Sequence, residues 1–327
     1  MKSQPFLLTD HTAERLIASA ILAPSSHNTQ PWRFKVREGG IDLFADRSRT
    51  MQQNDADGRE LTISCGCALY NLRVAAAWMG LQTHVQAMEA WRDDDLLAHI
   101  TFSHAAMRSP EADLCAAIYT RHTNRKHFDS TPLSPQLVRK LQTAATEEHA
   151  TLEVLSSNQQ RLAVAALIAE GDTEQWANPE WRRELANWMK PSRDGYGLKI
   201  GTLTAPLVQL TVRSVNMGER MADQDREIMY EAPLLTVLTT RRDGPSNWLH
   251  AGQALERMLL TAQLEGVQAS FLNQPIQVAK LRPQLRDITG GVGQPQMLIR
   301  WGVPLEQVPA SPRRPLASFL ETPRVPL

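Results

Sequence analysis

The sequence predicts an α+β protein built from two tandem copies of one unit, each mixing helices with short strands. Three observations predict it. Residues 65–83 (CGCALYNLRVAAAWMGLQT) return in altered form at 251–269 (AGQALERMLLTAQLEGVQA), and with a shift of 186 Gly66, Ala68, Leu69, Ala76, Gly80 and Gln82 meet Gly252, Ala254, Leu255, Ala262, Gly266 and Gln268. The apolar spacing of both copies is helical, each copy closes on a glycine suited to the left-handed position after a helix, and each runs into a strand-like segment, residues 81–88 and 267–272. Finally, 327 residues that are 42% hydrophobic suit two packed units better than one small domain or a disordered chain. The expected division is a first unit over 1–110, a second over 111–303, and a Pro-rich arm over 304–327.

The elements follow in order. Leu16, Ile17, Ala20 and Ile21 keep helical spacing until Pro24, which cannot continue a helix. Residues 24–34 then read Pro-Ser-Ser-His-Asn-Thr-Gln-Pro-Trp-Arg-Phe. Such a loop gathers hydroxyls, amides and an imidazole that can serve one polar ligand, or simply satisfy the backbone of a helix-to-strand turn. Alternation over 32–36 predicts a strand, closed by a turn at Gly39-Gly40. The WRDDD stretch from Trp91 reads as a solvated loop. In the second unit Ser134 is a good N-cap with Pro135 behind it, opening a helix over 136–145 that buries Leu137, Val138 and Leu141 before a strand over 151–155. Pro304, Pro309, Pro312, Pro315, Pro323 and Pro326 exclude regular helix or central strand from the C-terminal arm, which is expected to wrap over the surface.

Composition removes several classes of function. Lys+Arg and Asp+Glu both number 35, so no net charge draws the chain to nucleic acid or to an anionic membrane. Three cysteines are no disulfide framework. Cys65-Gly66-Cys67 has no second pair at metal spacing, so no metal is expected, and these small residues read as buried at a helix start. With no apolar run of signal-peptide or membrane-spanning length, the expectation is a soluble cytoplasmic protein. No nucleophile elbow or metal-binding helix appears, which leaves hydrolase and metalloenzyme chemistry without support. Gly195-Tyr196-Gly197 follows no clear strand, so it reads as a lid or turn rather than a dinucleotide loop.

Pro24-Ser25-Ser26-x-Asn28-x-Gln30-Pro31-Trp32-x-Phe34 resembles the signature of the nitroreductase superfamily. Arg121-His122-Thr123-Asn124-Arg125-Lys126-His127-Phe128 resembles the Arg-Arg-Ser-x-Arg-x-Phe opening of that family, with His122 and Thr123 as departures. Further matching stretches are Arg59-Glu60-Leu61 with Ser64-Cys65-Gly66, Trp181-Arg182-x-Glu184-Leu185 with Trp188, and Trp248-Leu249-x-Ala251-Gly252, so the resemblance covers nearly the whole chain. The first unit has the Ser-Asn loop without an Arg opening, and the second has the opening without the loop. That pattern is similar to the Acg-like branch of the superfamily.

The resemblance implies two nitroreductase-like halves, each a mostly antiparallel sheet flanked by helices, fused into a pseudo-dimer with the Gly66 and Gly252 helices near its pseudo-twofold axis. It implies FMN as cofactor in one site between the halves, the second pseudo-site being degenerate. The flavin ring and ribityl chain are expected over Pro24, Ser25, Ser26 and Asn28, with Gln30 and Trp32 holding the loop. The phosphate is expected on Arg121, Thr123 and Arg125, whose spacing of two puts them on one face of an extended segment. One of Arg313 and Arg314 joins them. His27 could donate a proton near the ring or have no part in the chemistry; no catalytic residue is assigned, and the group at flavin N5 stays open. The implied activity is hydride transfer from NAD(P)H through FMN to a small nitro- or quinone-like acceptor. The alternative is a flavin-sequestering protein with little turnover. Whether the fused chain forms a further homodimer is left open.

Overall fold

The computed structural model describes residues 7–88 and 95–321. Residues 91–94 of the WRDDD stretch, Pro323 and Pro326 lie outside them. Helix α1 (Asp10–Ala20) leads to β1 (Trp32–Arg37) and β2 (Gly40–Ala45), then α2 (Arg59–Trp78), β3 (Leu81–Ala87) and β4 (Leu96–His104). A short α3 (Cys115–Thr120) precedes α4 (Pro135–Glu147) and β5 (Ala150–Val154). Next come α5 (Asn158–Ala177), α6 (Pro179–Trp188), the paired short strands β6 (Met189–Pro191) and β7 (Leu198–Ile200), α7 (Ala205–Ser214) and α8 (Gly218–Glu231). The chain then resumes with β8 (Leu234–Thr240), α9 (Pro245–Leu264), β9 (Gln268–Phe271), α10 (Gln274–Gln277), α11 (Arg282–Ile288) and β10 (Gln294–Gly302).

Two four-stranded sheets share one topology. The first has the order β1-β2-β4-β3 and the second β5-β8-β10-β9, with every neighbouring pair antiparallel. Setting α1, β1, β2, α2, β3 and β4 against α4, β5, β8, α9, β9 and β10 brings each strand onto a counterpart at the same place in its sheet. The units differ in their connections. A tight turn joins β1 to β2, whereas helices α5–α8 are inserted between β5 and β8. The architecture is α+β, as the sequence predicts.

Local chemistry explains the helix ends. The Ser134 hydroxyl accepts from Leu137 N at 3.2 Å, with Pro135 at the first helical position. Ser157 and Gln160 close a reciprocal capping box on α5. Gly80 and Gly266 follow α2 and α9 with φ of 74° and 71°, the left-handed conformation expected of them.

The repeated glycines at 66 and 252 do not open their helices. The start of α2 is set one turn or more earlier by Asp55, whose carboxylate accepts from Glu60 N and Leu61 N at 2.8 Å each. Gly66 and Gly252 instead mark the crossing of α2 and α9. A Cβ on Gly66 would stand 2.3 Å from Leu249 O, and one on Gly252 would stand 2.0 Å from Ile63 O. Ile63 and Leu249 are themselves 186 residues apart, so each helix meets its counterpart with the same residues, the geometry of an isologous twofold contact. Cys65 and Cys67 accordingly lie inside α2, buried and free, rather than at its start.

The Pro-rich tail is extended and runs over the surface, as expected, but it is anchored at two points. Arg313 donates to three carbonyls at the end of α1, Ile21 (2.8 Å), Leu22 (2.8 Å) and Ala23 (3.0 Å). Phe319 is fully buried, its ring 6.4 Å from that of Trp32, and Leu320 bridges Phe34 beside the first sheet. Among the described residues no helix is long and apolar enough to cross a membrane.

Candidate active site

A cavity of about 350 Å³ lies between the two units, a size typical of small-molecule sites. The first unit contributes Pro24, Ser25, Ser26 and His27 with Glu60 and Ser64 of α2. The second contributes Thr123, Arg125 and residues 270–274, and the inserted helices add Asp172, Trp176, Trp181 and Asp225.

The loop is held in an uncommon backbone conformation. His27, Asn28 and Gln30 have φ of 49°, 54° and 53°, left-handed values that a non-glycine residue keeps only when its surroundings insist. Those surroundings are specific. Gln30 N donates to Ser25 Oγ (2.9 Å), Gln30 Nε2 to Gly195 O (2.8 Å), and Arg314 N to Gln30 Oε1 (3.0 Å). Asn28 Nδ2 donates to Pro312 O at 3.1 Å, and Gly197 N donates to Asn28 O at 3.2 Å. Trp32 is fully buried. The Gly-x-Gly segment is thus a brace under the loop.

Ser26 Oγ donates to Glu60 Oε2 at 2.6 Å. Glu60 is buried and accepts from Asn54 Nδ2 (3.3 Å) and Gln277 Nε2 (2.8 Å), while Trp181 Nε1 donates to Asn54 Oδ1 (3.1 Å). This chain fixes the Ser26 hydroxyl proton on the carboxylate and turns its lone pairs elsewhere. His27 is neutral over the physiological range, since burial and then the nearby Arg125 charge push its pKa down to about 3.

The segment after α3 behaves as an extended strand. Thr123 bridges Ala269 of β9, and Asn124 N donates to Ala269 O at 3.0 Å. Thr123 and Arg125 line the cavity, while Asn124 points away and donates to Gln268 Oε1 (3.1 Å) and Glu306 O (2.9 Å). Arg125 is open to solvent by area yet enclosed by protein, as a side chain projecting into a cavity is, and that enclosure lowers its pKa. It makes no hydrogen bond or ion pair among the described residues.

Four of the expected residues stand outside the cavity wall. Asn28 braces the loop from behind. Arg121 is buried, donates to Leu22 O at 3.1 Å, and has its Nε 3.4 Å from Glu256 Oε1. Arg313 lies close enough for the two charges to disfavour each other: burial first, then Arg121, pushes its pKa down to about 10. His122 is lowered by burial, Arg121 and Arg313. Arg314 is directed elsewhere, with its guanidinium 4.3 Å from the Phe319 ring and Nη2 on Gln30 O at 3.2 Å. Of the expected set, the structure brings Pro24, Ser25, Ser26, Thr123 and Arg125 to the cavity, and gathers Arg121 and Arg313 behind it.

Sequence reasoning did not find Glu60, Asp172 or Asp225. Gln274 Nε2 links the last two, donating to Asp172 Oδ1 at 3.1 Å and to Asp225 Oδ2 at 2.5 Å. Burial, then Asp225, pushes the Asp172 pKa up to about 7, and burial raises that of Asp225. A signal existed for Asp172: it falls four residues after Ile168 and four before Trp176, on the buried face of α5.

The sequence profile of the nitroreductase family matches residues 118–303. An uncharacterised protein of Mycobacterium tuberculosis is 32% identical, covering 94% of this chain and 92% of its own length. A second protein of that organism, which carries the provisional name NAD(P)H nitroreductase Acg, is 27% identical over 95% of both chains. Among solved structures, the FMN-dependent nitroreductase NfnB from Mycobacterium smegmatis, in complex with NADPH, gives a TM-score of 0.43 at 15% identity, covering 65% of this chain and 99% of that one. A BluB-like flavoprotein from Clostridium difficile gives 0.42 at 16% identity, covering 63% and 96%. A profile match over more than half of the chain, together with a relative 32% identical along nearly all of it, establishes that the chain belongs to the nitroreductase family.

Proposed function

We propose that the protein is an FMN-dependent NAD(P)H oxidoreductase with one FMN site per chain, in and behind the cavity between the two units. One observation carries the reading. Pro24, Ser25, Ser26 and His27 of the loop and Thr123 and Arg125 of the second segment, about a hundred residues apart in sequence, line one cavity. The donors fit the cofactor's charge. Arg125 has no hydrogen-bond or ion-pair partner among the described residues, the buried Arg121 Nε forms no hydrogen bond although Glu256 Oε1 is 3.4 Å away, and the Arg121 and Arg313 charges disfavour each other. A phosphate dianion relieves that repulsion and accepts those hydrogen bonds. On this reading Arg121 and Thr123 hold the phosphate, Arg313 adds its positive charge from the end of α1, and Pro24, Ser25, Ser26 and Arg125 border the ring and ribityl chain.

Bound FMN supplies the two-electron carrier between a nicotinamide and a nitro- or quinone-like acceptor. The chain's own residues do the rest. Glu60 fixes the Ser26 hydroxyl, His27 offers a neutral imidazole, and Trp176 and Trp181 narrow the cavity against water. The common topology of the two sheets and the reciprocal glycine crossing support descent from a tandem duplication, with units at 1–110 and 111–303 and an arm at 304–327. The inserted helices favour a second reading, a flavin-sequestering protein, because α5, α6 and α8 all add side chains to the cavity wall.

The purified protein should be yellow or take up added FMN, and a colourless protein that takes up none overturns both readings. Anaerobic mixing with NADH and with NADPH separates them: rapid bleaching marks the oxidoreductase, and none marks sequestration. Arg121→Ala should weaken FMN binding by about tenfold or more, the loss of a charge-assisted contact. Arg49→Ala should weaken it less, because Arg49 is engaged with Thr29 O and the Trp188 and Tyr196 rings. Equal retention by the two variants would refute the phosphate assignment.

A further inference from the structure

Glu256 lies behind the cavity on α9 with no exposed surface, and neither of its carboxylate oxygens makes a hydrogen bond of good geometry, with the Asn71 side chain as the neutral donor beside it. Its ion-pair partner Arg121 is 3.4 Å away and has its own Nε unsatisfied. A buried ion pair is stable only when its remaining hydrogen-bonding capacity is met, and here it is not. We propose that Glu256 is the proton-coupled counter-ion of the phosphate end: it balances Arg121 when no anion is docked, and takes up a proton when a phosphate dianion joins Arg121 and Arg313. This inference rests on the FMN reading above.

Charge balance gives the direction. Two guanidinium charges and one carboxylate leave a single positive charge. A dianion added to that set leaves one uncompensated negative charge in a buried space, whereas protonating Glu256 brings the sum to zero. The groups facing Glu256 are Cys67 and Asn71 on α2, Arg121 after α3 and Arg313 on the tail; His122 acts on the two arginines, and Gln253 and Arg257 on the Glu256 helix pair with Arg73 and Glu148. Burial raises the Cys67 thiol well above its usual value, and burial with Arg121 and Arg313 lowers His122, whose titration the His122→Asn variant below removes. Burial pushes Glu256 itself up to about 7, with Arg121 and Arg313 opposing. It is therefore poised where a small change in local charge decides its protonation.

The test is FMN binding to the full chain, followed by flavin fluorescence from pH 6.5 to 8.5, a range above the second phosphate ionisation near about 6. Wild type should bind roughly tenfold more weakly at the upper end, since binding that requires a proton loses up to tenfold per pH unit above the group's pKa. Glu256→Gln should bind with nearly the same affinity throughout, His122→Asn should keep the wild-type slope, and riboflavin, which lacks the phosphate, should show no slope. Calorimetry of the wild type in two buffers of different ionisation enthalpy should also show proton uptake on FMN binding at pH 8, a readout that needs no variant. FMN binding without uptake or slope, or a slope shared by riboflavin or by Glu256→Gln, overturns this inference alone. No FMN binding at any pH overturns the FMN reading and this inference with it.

Discussion

The cavity and its counterpart across the α2–α9 crossing use the same scaffold to opposite ends. On the cavity side α2 presents Glu60, Ile63, Ser64 and Cys67. The positions 186 residues later on α9 are Ser246, Leu249, His250 and Gln253. There the His250 ring packs against His149 with centroids 5.0 Å apart, Gln253 accepts from Arg73 at 2.9 Å, and Glu148 accepts from Arg73 at 2.5 Å and Arg257 at 2.9 Å. Glu111 joins both arginines at 2.7 and 3.2 Å. The cause is a connection length. Residues 21–31 separate α1 from β1, while only residues 148 and 149 separate α4 from β5. The longer connection spreads into a loop and borders a cavity whose lining arginine, Arg125, makes no hydrogen bond or ion pair among the described residues. The shorter one sets Glu148 and His149 at the equivalent place, where Glu148 pairs with Arg73 and Arg257 and His149 packs on His250. On the duplication proposed above, two units with one sheet topology would differ at the crossing through their connections rather than their cores.

Substitution at the shared crossing should have the largest effect, because both sides depend on it. Gly252→Val would drive a side chain into Ile63 O and the Gly66 backbone. It should cost about 3 kcal/mol or more in urea denaturation, the upper range for overpacking. A loss below about 1 kcal/mol would show that the helices can part without disturbing either side. Next comes the filled side. Glu148→Ala strips Arg73 and Arg257 of a buried partner and should cost about 2–3 kcal/mol while leaving FMN uptake per chain unchanged. Altered stoichiometry would mean that the filled side also takes part in binding.

The smallest effect is a pH signature on the cavity side. Because the pKa of Asp172 is raised to about 7, the native state keeps a proton that the unfolded chain sheds near pH 4. Its contribution is present in full below about pH 4 and is lost as pH rises through about 7. Asp172→Asn cannot ionise, so it should melt about 2–4 °C above wild type at pH 8 and close to it at pH 5. An equal shift at both pH values would assign the effect to packing rather than ionisation.

What the sequence reveals is local. The Ser134 cap, the left-handed glycines after α2 and α9, and the alternation of Thr123 and Arg125 depend on neighbours a few residues away, and each appears where expected. What it hides is long-range. Gly66 and Gly252 read as helix starts because a glycine beside small residues looks the same at an end as at a crossing. Nothing in Arg313-Arg314 says that one side chain will meet the end of α1 and the other a phenyl ring. Glu60 sits in a motif that was noticed, yet its link to Ser26 joins elements 34 residues apart.

The tail also imposes an order on assembly. Asn28 finds its partner at Pro312, Gln30 at Arg314 and Phe34 at Leu320, so the loop is braced by residues that the ribosome makes more than 280 positions later. Closing so long a loop is among the slower events of folding, and the left-handed turns at His27 and Asn28 have little to hold them before it happens. The nascent chain can build both sheets first, but the loop reaches its final shape only once residues 312–320 have been made.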